Sequence, residues 1–206
     1  MSEYTRNTLV ILITIIIIIS SGCSRFFVVT NRDYSGSGHN LAVVRHFIQR
    51  FGHRSDARFL KLFAPGAKIE VVGLGVVTQG QNGLRDLFGY AVVVNSRLEM
   101  FDGQVNGDTV FCRVEESNDW LRIIGIEPAV YQSRFVLEEG KIVELVINPD
   151  AQTRTVLIGQ GLSFWRWLRN DDPGAITSFS PDGKFRFTPE NGKRLVQLIS
   201  RWRGGY

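Results

Sequence analysis

Cysteine is nearly absent from this 206-residue chain, which has only Cys23 and Cys112. One internal disulfide is therefore the most it can form, and the core must hold the fold largely unaided. Histidine is as scarce. His39, His46 and His53 recur every seven residues without Cys or acidic partners at ligand spacing, so no metal site is expected. No glycine-rich phosphate loop and no nucleophile elbow occurs, and no cofactor is implied. An excess of charge is missing too. The net charge is +4 and the basic residues are scattered, which gives no nucleic-acid signature and only a mild bias toward anionic surfaces. There is no internal repeat. What is present, 44% hydrophobic and 21% charged residues, describes an ordinary globular protein.

The one long apolar run lies at the start. Met1–Thr8 is polar with one positive side chain, Arg6; Leu9–Ile19 is aliphatic but for Thr14, and Ser20-Ser21-Gly22-Cys23 follows. This pattern predicts a secretory signal peptide over residues 1–22. As a helix the run spans ~16 Å, short of the ~30 Å hydrocarbon core of a bilayer. Phe26–Val29 would extend it into an uncleaved anchor only with Arg25 inside. Cysteine directly after small residues resembles the lipobox of bacterial lipoproteins, which implies lipidation of Cys23 as the mature N-terminus. The chain departs from that pattern at Ser20, where the family prefers Leu. On either reading the remainder works outside the cytoplasm, at the membrane surface of the cell envelope, with Cys112 its only internal thiol. Removing residues 1–22 leaves 184, enough for one sizeable core.

Residues 23–39 read as a tether, with Asp33, Ser35, Gly36, Ser37 and Gly38. From Asn40, read as an N-cap, Leu41, Val44, Phe47, Ile48 and Phe51 recur at helical spacing until Gly52. Ser55 opens a short helix carrying Phe59, Leu60 and Phe63, ended by Pro65-Gly66. Lys68–Val72 and Val76–Gln79 read as strands, and Gln81–Tyr90 as a third helix with Leu84, Leu87 and Phe88 inward. Two hairpins follow. Arg97–Val105 joins Thr109–Ser117 through Asn106-Gly107, and Tyr131–Leu137 joins Lys141–Ile147 through Glu138-Glu139-Gly140. Helices followed by a long antiparallel sheet predict an α+β domain over residues 40–150.

Residues 151–206 read as a helical extension packed on that domain. Pro149 suits a first turn, Leu157–Leu168 carries Phe164, Trp165 and Trp167, and Asn170–Gly174 and Pro181-Asp182-Gly183 break the chain. Phe185 and Phe187 alternate on one side. Thr188-Pro189 then caps a helix whose Leu195, Leu198, Ile199 and Trp202 share a face. That face is expected in the core; the alternative, given Lys193, Arg194, Arg201 and Arg203, is a helix lying on a membrane.

Val44–Phe63 with Pro65-Gly66-Ala67, Thr78-Gln79-Gly80-Gln81 opening the third helix, and Gly140-Lys141-Ile142-Val143-Glu144 entering the last strand make a recognisable order. Over residues 40–150 it resembles the nuclear transport factor 2-like, or SnoaL-like, superfamily. The resemblance implies a strongly curved antiparallel sheet wrapped around N-terminal helices into a cone. It also implies an apolar pocket for a small apolar ligand and a homodimer through the outer sheet face.

Strand parity selects the pocket residues. Val110, Cys112 and Val114 share the apolar, concave face, which carries Glu116 inward and makes Cys112 an ordinary buried thiol. In the next strand Tyr131, Ser133, Phe135 and Leu137 go in, while Gln132 and Arg134 go out, so Glu115 and Arg134 are expected to pair outside. Glu116, Asp119, Trp120 and Tyr131 are the candidate ligand-binding residues. Glu116 could serve as a general base inside the cone, or sit solvated at its rim; Asp119 and Trp120 follow the strand where loops border a mouth. Limonene-epoxide hydrolases, within the resembled group, carry an Arg-x-Asp pair and a second Asp. Arg113-Val114-Glu115 matches the first half with the wrong parity, and no acid on the last strand completes it. SnoaL-like cyclases place His and Asp where this chain has Leu145 and Ile147. Both inherited acid–base schemes are incomplete. A hydrolase or isomerase using Glu116 and Asp119, and an envelope assembly module gripping a partner through the outer sheet and last helix, stand as alternatives to ligand binding.

Overall fold

The computed structural model describes residues 37–53, 57–179 and 185–204. The expected signal peptide, Cys23 and most of the tether lie outside the described residues. Helix α1 (Ser37–Arg50) starts earlier than the expected Asn40 cap. Asn40 is inside the helix, where its side-chain amide donates to the carbonyl of Gly107 at 3.4 Å. The apolar stripe Val44, Phe47 and Ile48 is buried as its spacing dictates. Helix α2 (Ala57–Leu60) is a single turn, and β1 (Phe63–Val71) begins at Phe63, so Phe63 is not helical and Pro65-Gly66 lies within a strand. The ladder with β6 (Lys141–Pro149) is irregular between Phe63 and Lys68, and a proline there interrupts no regular pairing.

After the exposed turn at Val72–Leu74 come β2 (Gly75–Gln79) and α3 (Gly80–Val93), then β3 (Arg97–Asn106) and β4 (Thr109–Ser117). A short helix, α4 (Asp119–Ile124), occupies the link between the two hairpins, and β5 (Ala129–Glu138) leads to β6. The six strands lie in the order β2-β1-β6-β5-β4-β3. Neighbours are antiparallel except β1 and β6, which run parallel. The expected antiparallel sheet is present, with this one parallel pairing added, because α3 and both hairpins intervene before the chain returns beside β1. Register shifts at Phe101/Gln104, beside Asp102 at φ 52°, and at Val136/Leu137 bend the strands, and the sheet curves around α1 to α3. Aromatic rings fill the hollow: Phe47 lies 5.4 Å from Phe59, 5.6 Å from Phe63 and 5.5 Å from Phe135.

The outer face carries charge. Lys68 and Arg134 both reach Glu144 at 2.7 Å, and Arg113 reaches Glu115 at 2.7 Å. The expected Glu115–Arg134 pair does not form, because register places Arg134 opposite Phe111 and Val146, within reach of Glu144. The Lys68 hydrogen bond, with Arg134 in support, holds the Glu144 carboxyl below its usual range. These half-exposed pairs contribute little stability.

Helices α5 (Ala151–Asp171), α6 (Pro173–Phe179) and α7 (Pro189–Gly204) build a second core. Pro149 closes β6 rather than opening α5; Asp150 is the N-cap and accepts the Thr153 N–H at 2.7 Å. Phe164, Leu168, Phe179, Leu198, Ile199 and Trp202 cluster with Leu121, Ile124, Ala129 and Tyr131 of the sheet domain. The apolar face of α7 is thus committed to the fold and is not available to lie on a membrane. Among the described residues no helix is long and apolar enough to cross one.

Candidate functional site

Val110, Cys112 and Val114 are buried on one face of β4, and Glu116 continues that face, opposite Leu98 of β3 and Ala129 of β5. Its carboxylate is held from three sides. Oε1 accepts from the Ser96 hydroxyl and from Asn118 Nδ2 at 3.0 Å, and Oε2 accepts from the Tyr131 hydroxyl at 3.1 Å. Each donor is itself fixed. Asn118 is the N-cap of α4, its Oδ1 accepting the Leu121 N–H at 2.8 Å, which turns its amide nitrogen toward Glu116. Ser96 is placed by its N–H on the Ala91 carbonyl at 2.8 Å, where α3 ends. A carboxylate offers about four lone-pair positions. Among the described residues three are taken, and the fourth, on Oε2 of this partly exposed residue, is open.

Tyr90, from the last turn of α3, adjoins this cluster and is only 6% exposed. Burial, then the negative charge of Glu116, pushes its hydroxyl far above the ordinary tyrosine range, weakly opposed by the indole N–H of Trp120. That N–H is near enough to favour the phenolate slightly but falls outside hydrogen-bond geometry, and among the described residues this buried donor has no partner. Tyr131 is raised well above its ordinary value by burial first, then by the charge and hydrogen bond of Glu116 and the nearby Tyr90. Two neutral phenols, one partly exposed carboxylate and one indole N–H without a partner among the described residues therefore lie together, beside the apolar cluster that includes Tyr131, Leu121, Ile126, Phe164 and Leu198.

Of the four expected residues, the structure brings Glu116 and Tyr131 into contact and sets Trp120 beside Tyr90. Asp119 turns away, accepting from Asn95 Nδ2 at 2.5 Å and Arg122 at 2.6 Å. The expected acid pair is not assembled. Ser96, Asn118 and Tyr90 are site residues that strand parity missed. Asn118 carries an N-cap signal before Asp119-Trp120, whereas Ser96 and Tyr90 have no signal separating them from ordinary helix-end residues. Arg113 and Glu115 lie on the opposite face and bind each other. Burial pushes the Cys112 thiol up to about 12, so it is inert. The three histidines are exposed, and among the described residues no group of His, Cys, Asp or Glu could hold a metal.

No family model and no curated protein matches this chain. Solved structures of similar shape exist. One is SalBIII, an epoxide hydrolase/cyclase-like enzyme in pyran ring formation in polyether salinomycin, with 17% identity and a TM-score of 0.49, covering 56% of this chain and 94% of that one. A candidate SnoaL-like polyketide cyclase from Jannaschia sp. CCS1 has 14% identity and a TM-score of 0.48, covering 63% and 97%. A de novo designed protein with a curved β-sheet has 19% identity and a TM-score of 0.46, covering 58% and 92%. Fold does not fix function, and activity has to be argued from the site. The α+β class stands on the chain's own topology.

Proposed function

We propose that this protein is a membrane-anchored lipoprotein whose curved-sheet domain binds a small, neutral, mostly apolar ligand at the Glu116 cluster. The observation that carries the reading is a pair of groups at the partly exposed edge of the second core that have no partner among the described residues: one acceptor position on Glu116 Oε2 and the buried N–H of Trp120. A buried donor left unsatisfied costs about 1–3 kcal/mol. An apolar molecule carrying a hydroxyl would satisfy both, donating to Glu116 and accepting from Trp120. Binding is preferred to turnover because Asp119, the expected second acid, faces Asn95 and Arg122 instead. The anchor rests on Leu9–Ile19 and Ser21-Gly22-Cys23, which favour export and lipidation at Cys23. A homodimer through the outer face would have to desolvate the Lys68–Glu144–Arg134 ion pairs.

Mass spectrometry of small molecules extracted from the purified protein tests the ligand claim. One neutral compound is expected at near-stoichiometric yield from the parent and at strongly reduced yield from Glu116→Gln. Equal yield from both proteins would refute the site.

A further inference from the structure

Among the described residues, the large apolar side chains most open to water sit together. Val72, Leu74 and Val76 are 40%, 60% and 45% exposed around the β1–β2 turn, at the edge of the sheet. The turn is tight because Gly73 and Gly75 take positive φ, 97° and 76°. Its backbone is fixed, Val72 donating to the Ile147 carbonyl at 2.8 Å and Leu74 to the Val71 carbonyl at 2.9 Å. From Val71 to Thr78 the tip carries no charge.

The tip shares one end of the sheet with the start of the C-terminal helices. Val71 pairs with Ile147, two residues before Pro149 closes β6 and the chain enters α5. The second core closes on Ala129 and Tyr131 at that same end, Tyr131 lying opposite Pro149. Residues 151–206 hold nine Lys or Arg against four Asp or Glu, a net +5, while residues 1–150 hold fifteen against sixteen, a net −1. The excess positive charge therefore belongs to the helices that begin beside the tip. Arg166, Arg169, Lys193, Arg201 and Arg203 are exposed on α5 and α7. The opposite end, with the two hairpin turns, carries Asp108, Glu138 and Glu139 against Lys141.

We propose that this end of the domain rests on an anionic lipid surface, with the Val72–Val76 tip in the bilayer interface and the basic residues of α5 and α7 toward the headgroups. The contact rests on reading the protein as membrane-anchored. Apolar groups partition past the headgroups while Lys and Arg are drawn to anionic ones, so such a surface matches both components. A nucleic acid would satisfy the charge and leave the tip in water. The tether permits the posture. The chain enters α1 at the hairpin end, where Asn40 holds Gly107 and His39 lies against Gly140. Strand β1 has nine residues, about 30 Å. The thirteen residues between Cys23 and Ser37 reach about 45 Å when extended. A lipid on Cys23 can thus enter the same bilayer that the far end touches, and a lipid chain combined with a basic patch anchors more firmly than either alone.

Amide hydrogen exchange of the full-length protein tests this on two kinds of vesicle, phosphatidylcholine alone and an equal mixture with phosphatidylglycerol. The amides of Val72–Val77 should exchange at least tenfold more slowly on the mixed vesicles than on the neutral ones, with Asn106–Asp108 unchanged. Leu74→Ser and Arg166→Glu/Arg169→Glu, both at solvent-facing positions, should each remove most of that protection. Flotation with the neutral vesicles reads the anchor separately. Protein that floats with both but shows no slowing at Val72–Val77, slowing equal on both lipids, or the same slowing at Asn106–Asp108 would overturn the docked face and leave the anchor standing. Protein that floats only with the anionic vesicles and is protected at the tip would overturn the anchor and keep the face. Flotation with neither would overturn both.

Discussion

At Glu116 a single carboxylate organises a serine, an asparagine and a tyrosine, each arriving from a different element. Tyr131→Phe removes one charge-assisted hydrogen bond and is expected to destabilise by about 1.5–3 kcal/mol in urea unfolding. The same network predicts an alkaline limit. Tyr90 and Tyr131 keep their protons in the fold at pH values where the unfolded chain loses them, so the folded state binds more protons and stability falls as pH rises. The window opens near pH 9, where Cys112 begins to contribute as its thiol is held up to about 12, and steepens above pH 10. Each tyrosine adds a slope of about 1.4 kcal/mol per pH unit. Unfolding titrations should show a shallower decline for Tyr131→Phe, and an unchanged slope would contradict the burial of its hydroxyl. Trp120→Phe opposes lost volume with a relieved N–H. Its stability should stay within about 1 kcal/mol of the parent while ligand retention drops.

Among the elements, β4 was the most legible in sequence. Its alternation of Val110, Cys112 and Val114 with Phe111, Arg113 and Glu115 identifies the buried face and so places Glu116 on it. Period-2 patterning is a strong signal wherever one face is apolar. The start of β1 was illegible because Phe63 continues the helical spacing of Phe59 and Leu60, and Pro65-Gly66 imitates a helix stop; only pairing with β6 shows a strand. The parallel β1–β6 pair was hidden too, since strand neighbours far apart in sequence leave no local trace. Ser96 enters the site through a long-range contact with Glu116, which pattern reading cannot see. The packing has a sharp consequence. Phe135, 1% exposed and in edge contact with Phe47, should cost about 3–5 kcal/mol when replaced by Ala. Leu74, 60% exposed in the β1–β2 turn, should change stability by less than about 0.5 kcal/mol as Leu74→Ser. Chemical denaturation of the two variants side by side gives both values.

For the whole molecule, the second core makes residues 151–204 part of the folded unit: it buries Leu121, Ile124 and Tyr131, which would otherwise face water. Deleting everything after Asp150 should cause aggregation or loss of a cooperative transition. A truncated protein that melts like the parent would make the extension an independent arm. Upstream, Cys23→Ala should leave an unprocessed precursor without lipid label, and normal processing would remove the anchor. The central claim is that the Glu116 corner receives an apolar, hydroxyl-bearing ligand whose oxygen meets the indole of Trp120. The chain has four tryptophans, Trp120, Trp165, Trp167 and Trp202, and therefore four indole N–H signals in a nitrogen-15 NMR spectrum. Titration with 1-naphthol should move the Trp120 signal, assigned by its absence in Trp120→Phe, downfield as its proton gains an acceptor, with the other three nearly still. Saturable binding that leaves the Trp120 signal in place would contradict the account.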